Sequence, residues 1–414
     1  GTIAAPCAGD GFARRITRSP GPAGSGSTSS QVSDGVLDLS EESLIEAARQ
    51  RTGLGDFGDE GFRDGLRVLL ETYQSAGLRP GGRKLTRGRL IQLLCNRLRV
   101  EQAFRRHPEI LEREIRSPIY MTGLPRTGTS ALFNLLAIDP AARPLLLWEA
   151  MNPDPFEGEI PAGREDPRLE ATRAYFERDR QRNPDFDKIH YRRADGPEEC
   201  VLLTAHTFCD AQNGIEPLMS PFREWFEAQD LHPTYAYYRD LLKLLDWQRP
   251  GDRWLLKSPA HLWALGILVE MFPDACIIQT HRNPLQILPS YCSMMAALMS
   301  IRESIDLREL GPVVLEYLAR SLERGLADRD GSAPERFLDV DYHRFVEQPM
   351  QTVERIYDFF GLALGSETAD AMGAHIGENP QHRHGSHRYS LAEYGLSAEA
   401  VRTRLAGYIE RFDL

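Results

Sequence analysis

The sequence predicts an α/β fold: a central parallel sheet flanked by helices, with an N-terminal helical layer. Three observations carry this reading. Short apolar runs at 118–122, 253–257, 275–280 and 337–340 alternate with longer stretches of helical period, the pattern of a parallel sheet covered on both faces. The first run passes through a glycine-bounded loop, Gly123-Leu-Pro-Arg-Thr-Gly-Thr-Ser130, into an apolar helix, Ala131-Leu-Phe-Asn-Leu-Leu-Ala-Ile138. Ahead of that loop lie three amphipathic helical stretches.

In chain order, residues 1–36 are rich in Gly, Ser, Ala and Pro, and this composition predicts a disordered tail or linker. Residues 37–115 form the helical layer. Ser40 caps a first helix with Glu41 and Glu42 in its opening turn. A second spans 59–74, and a third begins near Thr86 with Leu90, Ile91, Leu94 and Leu98 on one stripe. Arg79, Arg83, Lys84, Arg87 and Arg89 cluster at its entry and read as a solvated basic face. Residues 116–414 form the main domain. After the glycine loop, 144–149 reads as a short strand, 151–165 as a Pro- and Gly-rich loop, and 167–181, 196–210 and 232–248 as helices. Ser258-Pro-Ala-His261 carries a cap and a proline at the first helical position. Helices are also expected after Pro284, at 349–361 and at 366–376.

The 414 residues are 42% hydrophobic and 26% charged, ample for a large core. A net charge of -11 and a pI near 5.6 argue against a nucleic-acid binder but leave room for a local basic pocket. Cys7, Cys95, Cys200, Cys209, Cys276 and Cys292 form no C-x-x-C pair, so neither a disulfide framework nor a zinc site is expected, and a reducing, cytoplasmic setting is. The longest apolar stretch, 261–272, is too short to span a membrane and contains Glu270. The chain starts at Gly1, which leaves open that it is a piece of a longer polypeptide.

A loop between a strand end and a helix N-terminus is an anion cradle, because its backbone N–H groups and the helix dipole both favour negative charge. Gly123 and Gly128 have the spacing of the Walker A loop, but Thr129 stands where that loop has lysine. This argues against γ-phosphoryl transfer. Ligands of open α/β sheets bind at the carboxyl ends of the strands. Sorting by that rule gathers Arg126, Thr129, Glu149, Lys257, His261 and Arg282, with Ser290 two helical turns beyond Arg282. Near the C-terminus, Gln381-His-Arg-His-Gly-Ser-His-Arg-Tyr389 reads as an anion-binding loop. A metal site at His382, His384 and His387 is disfavoured because no carboxylate or cysteine accompanies them.

These motifs resemble those of sulfotransferases that use 3′-phosphoadenylyl sulfate (PAPS), in their bacterial branch. Leu124-Pro-Arg-Thr-Gly-Thr-Ser130 is similar to the family loop for the 5′-phosphosulfate. Arg282 and Ser290 are similar to its 3′-phosphate site, and Tyr342 to a tyrosine beside the adenosine. His387-Arg-Tyr-Ser-Leu-Ala-Glu-Tyr-Gly395 resembles a C-terminal segment of that branch. The resemblance covers about 116–395 and implies a P-loop-like sulfotransferase fold. It implies that Arg126, Thr127, Gly128, Thr129, Ser130, Arg282, Ser290, Tyr342, His387 and Arg388 bind PAPS. Arg126 and Lys257 would stabilise the transferring group, no metal would be needed, and the acceptor would be a hydroxyl on a small molecule, lipid or carrier-bound chain. For the base, Glu149 resembles the glutamate of tyrosylprotein sulfotransferases, and His261 the histidine of the cytosolic small-molecule branch, though two residues late. Glu149 is the preferred choice, with Glu198 and Glu199 as weaker candidates on a helix. The competing readings are a P-loop-type small-molecule kinase and a binding module that keeps the fold without catalysis.

Overall fold

The structure is a computed structural model that describes residues 37–158, 160, 163–182, 193–211, 221–299, 305–378 and 390–414. Five strands form one sheet: β1 (Ile119–Gly123), β2 (Ala142–Pro144), β3 (Arg253–Lys257), β4 (Cys276–His281) and β5 (Phe337–Asp341). Their order is β2-β3-β1-β4-β5, and every pairing is parallel. The α/β class read from the sequence is the one found. β1 lies in the middle because it is buried along its whole length. Alternate residues serve opposite faces. Tyr120, Leu256 and Ile277 join the core shared with the N-terminal helices, whereas Ile119, Met121, Leu255 and Ile278 pack beneath the helix that follows β1.

Three helices precede the sheet: α1 (Glu41–Thr52), α2 (Phe62–Ser75) and α3 (Pro80–Arg106). Ser40 caps α1 through a bond from Ser43 N, as its sequence position predicts. α3 starts earlier than Thr86, since Pro80 suits the first turn, where a missing N–H costs nothing. Two members of its basic entry are not merely solvated: Arg83 and Arg87 donate to the carbonyls of Leu37 and Asp38. Arg97, almost wholly buried, fastens this layer. It donates to Phe57 O (2.9 Å), Asp59 O (2.8 Å) and His206 O (3.4 Å), between the rings of Phe62 and Tyr237.

The chain departs from the expected pattern in several places. The segment 144–149 is not one strand. β2 ends at Pro144, and α5 (Leu147–Met151) begins almost at once. The segment 196–210 holds only a four-residue α-turn, Val201–Thr204, and a 3-10 turn, Ala205–Thr207. Its start is extended: Leu146 and Pro197 form an antiparallel bridge, and Glu198 N and Cys200 N donate to Leu145 O and Lys257 O. A 24-residue helix, Leu307–Asp330, was not anticipated, because Gly311 and Pro312 interrupt its propensity and its support is tertiary. Residues 1–36 lie outside the described residues.

Glu149 explains the break after β2. The carboxylate accepts from Arg143 (2.7 and 2.9 Å), from Arg249 (2.8 and 3.2 Å) and from Leu146 N (3.1 Å), and the residue is 2% exposed. Arg143 lies over Trp254 of β3, 3.9 Å from the ring centroid. Thus Glu149, placed by the sequence reading at the acceptor, is instead the centre of a buried clamp joining β2, α5 and the end of the helix His232–Gln248. All its hydrogen-bonding capacity is taken up.

This clamp yields a prediction. Burial pushes the Glu149 carboxyl up, but Arg143 and Arg249 more than offset it, so its pKa lies below the ordinary 4.5. Its contribution is therefore complete above pH 4.5 and is lost as pH falls through the depressed folded value. Glu149→Gln leaves Arg143 buried without its counter-charge and should cost about 3–5 kcal/mol in urea unfolding at neutral pH. The variant should also show a shallower loss of stability in acid.

Candidate active site

The loop after β1 is shaped by three positive φ angles: Gly123 at 135°, Arg126 at 67° and Gly128 at 85°. Gly123 has no alternative, because a Cβ there would stand 2.4 Å from Thr280 O on β4. Arg126 is the non-glycine exception. Its left-handed backbone aims the carbonyl at Arg282 Nη1 (3.1 Å), while its Nε donates to Ser290 Oγ (3.1 Å). α4 (Thr129–Leu136) then starts, with Gly128 at its N-cap.

The structure brings most of the expected cofactor residues to this edge. Arg282 follows β4, and its guanidinium lies 3.9 Å from the centroid of the Tyr342 ring, which comes from the residue after β5. Tyr342 in turn sits against Gly128, where a Cβ would be 2.9 Å from its Cδ2. The two anion sites expected to lie apart are joined by the Arg126–Ser290 and Arg282–Arg126 hydrogen bonds. Among the described residues neither arginine pairs with a carboxylate. Burial, together with the charge of Arg126, pushes the Arg282 guanidinium below its ordinary pKa. A half-buried cation beside a like charge is a site whose counter-ion comes from outside the fold.

Thr127 has a different part from the one expected of its side chain. Its hydroxyl is buried and bonds Leu124 O and Thr280 Oγ1, both at 2.6 Å, so it stitches the loop to β4. Only its backbone remains for a ligand.

On the other flank of the loop, Lys257 ends β3. Its Nζ donates to Glu199 Oε1 (2.6 Å) and Ser130 Oγ (3.3 Å), near the Phe133 ring. Glu199 was a weak candidate in the sequence because it was placed on a helix. It sits instead on the extended segment that runs beside Lys257, a contact no local pattern encodes. Glu149 lies outside this cluster. So does His261: it is 1% exposed, its Nδ1 faces Tyr235 OH (2.9 Å), and the Tyr120 ring meets its edge. Burial pushes its pKa down to about 3, which leaves a neutral core imidazole. His387, Arg388 and the histidines considered for a metal lie outside the described residues, among which no metal-binding cluster occurs.

A parallel sheet with two arginines at the carboxyl edge of its middle strand defines an α/β protein of P-loop-like architecture. The family model described as the Sulfotransferase family matches residues 118–366, and the chain belongs to that family. It is similar to the crystal structure of sulfotransferase STF1 from Mycobacterium tuberculosis H37Rv, with 34% identity, TM-score 0.79, and coverage of 89% of this chain and 98% of that one. Sulfotransferase STF9 from Mycobacterium avium aligns with 30% identity, TM-score 0.82, and coverage of 92% and 99%. A curated relative, the omega-hydroxy-beta-dihydromenaquinone-9 sulfotransferase Stf3 of Mycobacterium tuberculosis, is 29% identical over 115 residues. That match spans 26% of this chain and only 28% of the relative's length.

The close seat of Tyr342 on Gly128 predicts that Gly128→Ala costs about 1 kcal/mol or more, from the left-handed backbone and the contact together. In a Tyr342→Ala background the backbone part remains and the cost should shrink. Chemical denaturation of the four proteins measures both parts; an equal cost in both backgrounds would show that the ring moves aside freely.

Proposed function

We propose that this protein transfers the sulfuryl group of PAPS to a hydroxyl of a lipid-type or other small-molecule acceptor. The observation that carries the reading is the pair Arg126 and Arg282, the guanidinium of Arg282 bonded to the backbone carbonyl of Arg126 just ahead of a helix N-terminus, with no carboxylate partner for either side chain among the described residues. PAPS has an anion at each end, and the residues suit both. Arg282 and Ser290 take the 3′-phosphate, with Tyr342 beside the adenosine. Arg126, Gly128, Thr129, Ser130 and the backbone of Thr127 take the 5′-phosphosulfate. His387 and Arg388 are assigned to the cofactor on the resemblance alone. Lys257 is the group suited to the oxygen where charge builds as the sulfuryl group leaves.

Residues 116–414 serve in this reading as the PAPS-binding unit and 37–115 as a supporting layer. The acceptor class rests on the partial similarity to an enzyme named for a hydroxylated menaquinone. No helix among the described residues is long and apolar enough to cross a membrane, and we assign the reaction to the cytoplasm, where PAPS would be the donor. The kinase reading gains nothing, since Thr129 still occupies the lysine position of the Walker loop.

The test is binding. Adenosine 3′,5′-bisphosphate should raise the melting temperature, and ATP with Mg²⁺ should not. Each charge-assisted hydrogen bond contributes about 1.5–3 kcal/mol, so Arg282→Ala should weaken the bisphosphate at least about tenfold by calorimetry. Adenosine 5′-phosphosulfate, which lacks the 3′-phosphate, should lose little in the same variant. Equal losses for both ligands would remove Arg282 from the 3′-phosphate.

A further inference from the structure

With Glu149 held in its clamp and His261 in the core, the acceptor hydroxyl has no base among the residues preferred from the sequence. We infer that Glu199 takes the acceptor's proton, an inference that rests on the proposed sulfuryl transfer.

Position is the first argument. Lys257 Nζ connects Glu199 Oε1 (2.6 Å) to Ser130 Oγ (3.3 Å), so the carboxylate is one lysine away from the first turn of α4. Access is the second. The Lys257 side chain is 4% exposed and that of Glu199 26%, so the lysine is buried and the carboxylate is reached by solvent. Glu199 Oε2 has no hydrogen bond among the described residues. Rigidity is the third. Glu199 N donates to Glu198 Oε1 (2.8 Å), and the residues on either side are bonded to Leu145 O (2.8 Å) and Lys257 O (2.9 Å). A base fixed at both flanks needs little reorganisation when the acceptor arrives.

The adjacent carboxylate differs in its partner: Glu198 Oε1 accepts from Glu199 N (2.8 Å), and it is Glu199 that the lysine holds. In the step itself, Glu199 Oε2 takes the hydroxyl proton as the acceptor oxygen bonds to sulfur. The bond from sulfur to the bridging phosphate oxygen breaks, and its electron pair leaves on adenosine 3′,5′-bisphosphate. Protonation of Glu199 weakens its hold on Lys257, whose ammonium then donates to that oxygen. The proton passes from Glu199 to solvent, so acceptor alcohol and PAPS give sulfate ester, bisphosphate and one proton.

A base and a mere holder of Lys257 respond differently to acceptor acidity. Radiolabelled PAPS and two probe acceptors, 4-methylphenol and the far more acidic 4-nitrophenol, separate them. Glu199→Gln should keep the parent's affinity for adenosine 3′,5′-bisphosphate and lose at least about 10²-fold in kcat with 4-methylphenol. With 4-nitrophenol, which gives up its proton without help, the loss should be much smaller. Glu199→Asp, which keeps the carboxylate, should recover part of the turnover with 4-methylphenol. Equal losses for both phenols, or no loss, would overturn the base role and leave Glu199 as a positioning residue at most. A collapse of bisphosphate affinity in Glu199→Gln would also overturn it, as a sign of damage to the cradle. Failure of the parent itself to bind the bisphosphate would bring down the sulfotransferase reading, a result distinct from any failure of Glu199.

Discussion

Two arginines, Arg126 and Arg282, are tied together at the carboxyl edge of β1 through the Arg126 carbonyl, and among the described residues no carboxylate neutralises either. The charge of Arg126 and partial burial both work against the Arg282 guanidinium. The surrounding structure is arranged to hold them there. The carbonyl of Arg126 accepts from Arg282, Ser290 binds Arg126, and the Tyr342 face lies on the Arg282 guanidinium. The left-handed turn at Arg126 and the glycines on either side are the backbone cost of that arrangement.

Charge elsewhere in the fold is treated in the opposite way. Arg143, Glu149 and Arg249 satisfy one another completely in the clamp beside β2. Asp339 is likewise closed off, bonded to Arg329 (2.5 and 2.7 Å) and to His281 Nε2 (2.8 Å), with Phe412 stacked on the imidazole. These saturated groups fix the geometry of strand ends. Arg126 and Arg282 differ from these groups in having no carboxylate partner among the described residues, and it is this difference on which the proposed anion site rests.

The sheet order places the rest of the chemistry. The chain leaves β1 toward β2 and β3 on one side, then crosses to β4 and β5 on the other. The carboxyl ends of β1, β3 and β4 therefore lie side by side, and each brings a cation to that edge: Arg126 from the loop after β1, Lys257 from the last position of β3 and Arg282 directly after β4. The segment 197–200, which leads from the bridge at Pro197 into a short turn, adds Glu199 beside Lys257 through backbone bonds rather than through a helix of its own.

Much of this was legible in the sequence because it is local. A buried strand, a glycine-bounded turn and a helix start are contiguous, so the loop 123–130 and its ligand class could be read directly. The strands at 253–257, 275–280 and 337–340 were legible for the same reason: short, mostly apolar runs of four to six residues between turns have few other uses. Arg282 precedes the N-cap Asn283 of the helix that carries Ser290, and the eight-residue spacing was enough to predict that both meet the same loop. The role of a carboxylate was not legible. Glu149 follows an apolar run just as an acceptor-side base would, yet Arg143 and Arg249 capture it. Arg249 is 100 residues away, and nothing nearby in the chain announces it. His261 follows a strand end in the same manner, and packing against Tyr120 and Tyr235 withdraws it from the edge. Glu199 was passed over because its segment was taken for a helix, and only its long-range bonds to Leu145 and Lys257 make it extended. The sequence by itself determined where a strand would turn through a glycine-bounded loop into a helix, since φ and helix starts are local properties. Tertiary structure alone decided which charges stay free, because neutralisation depends on partners that sequence distance does not reveal.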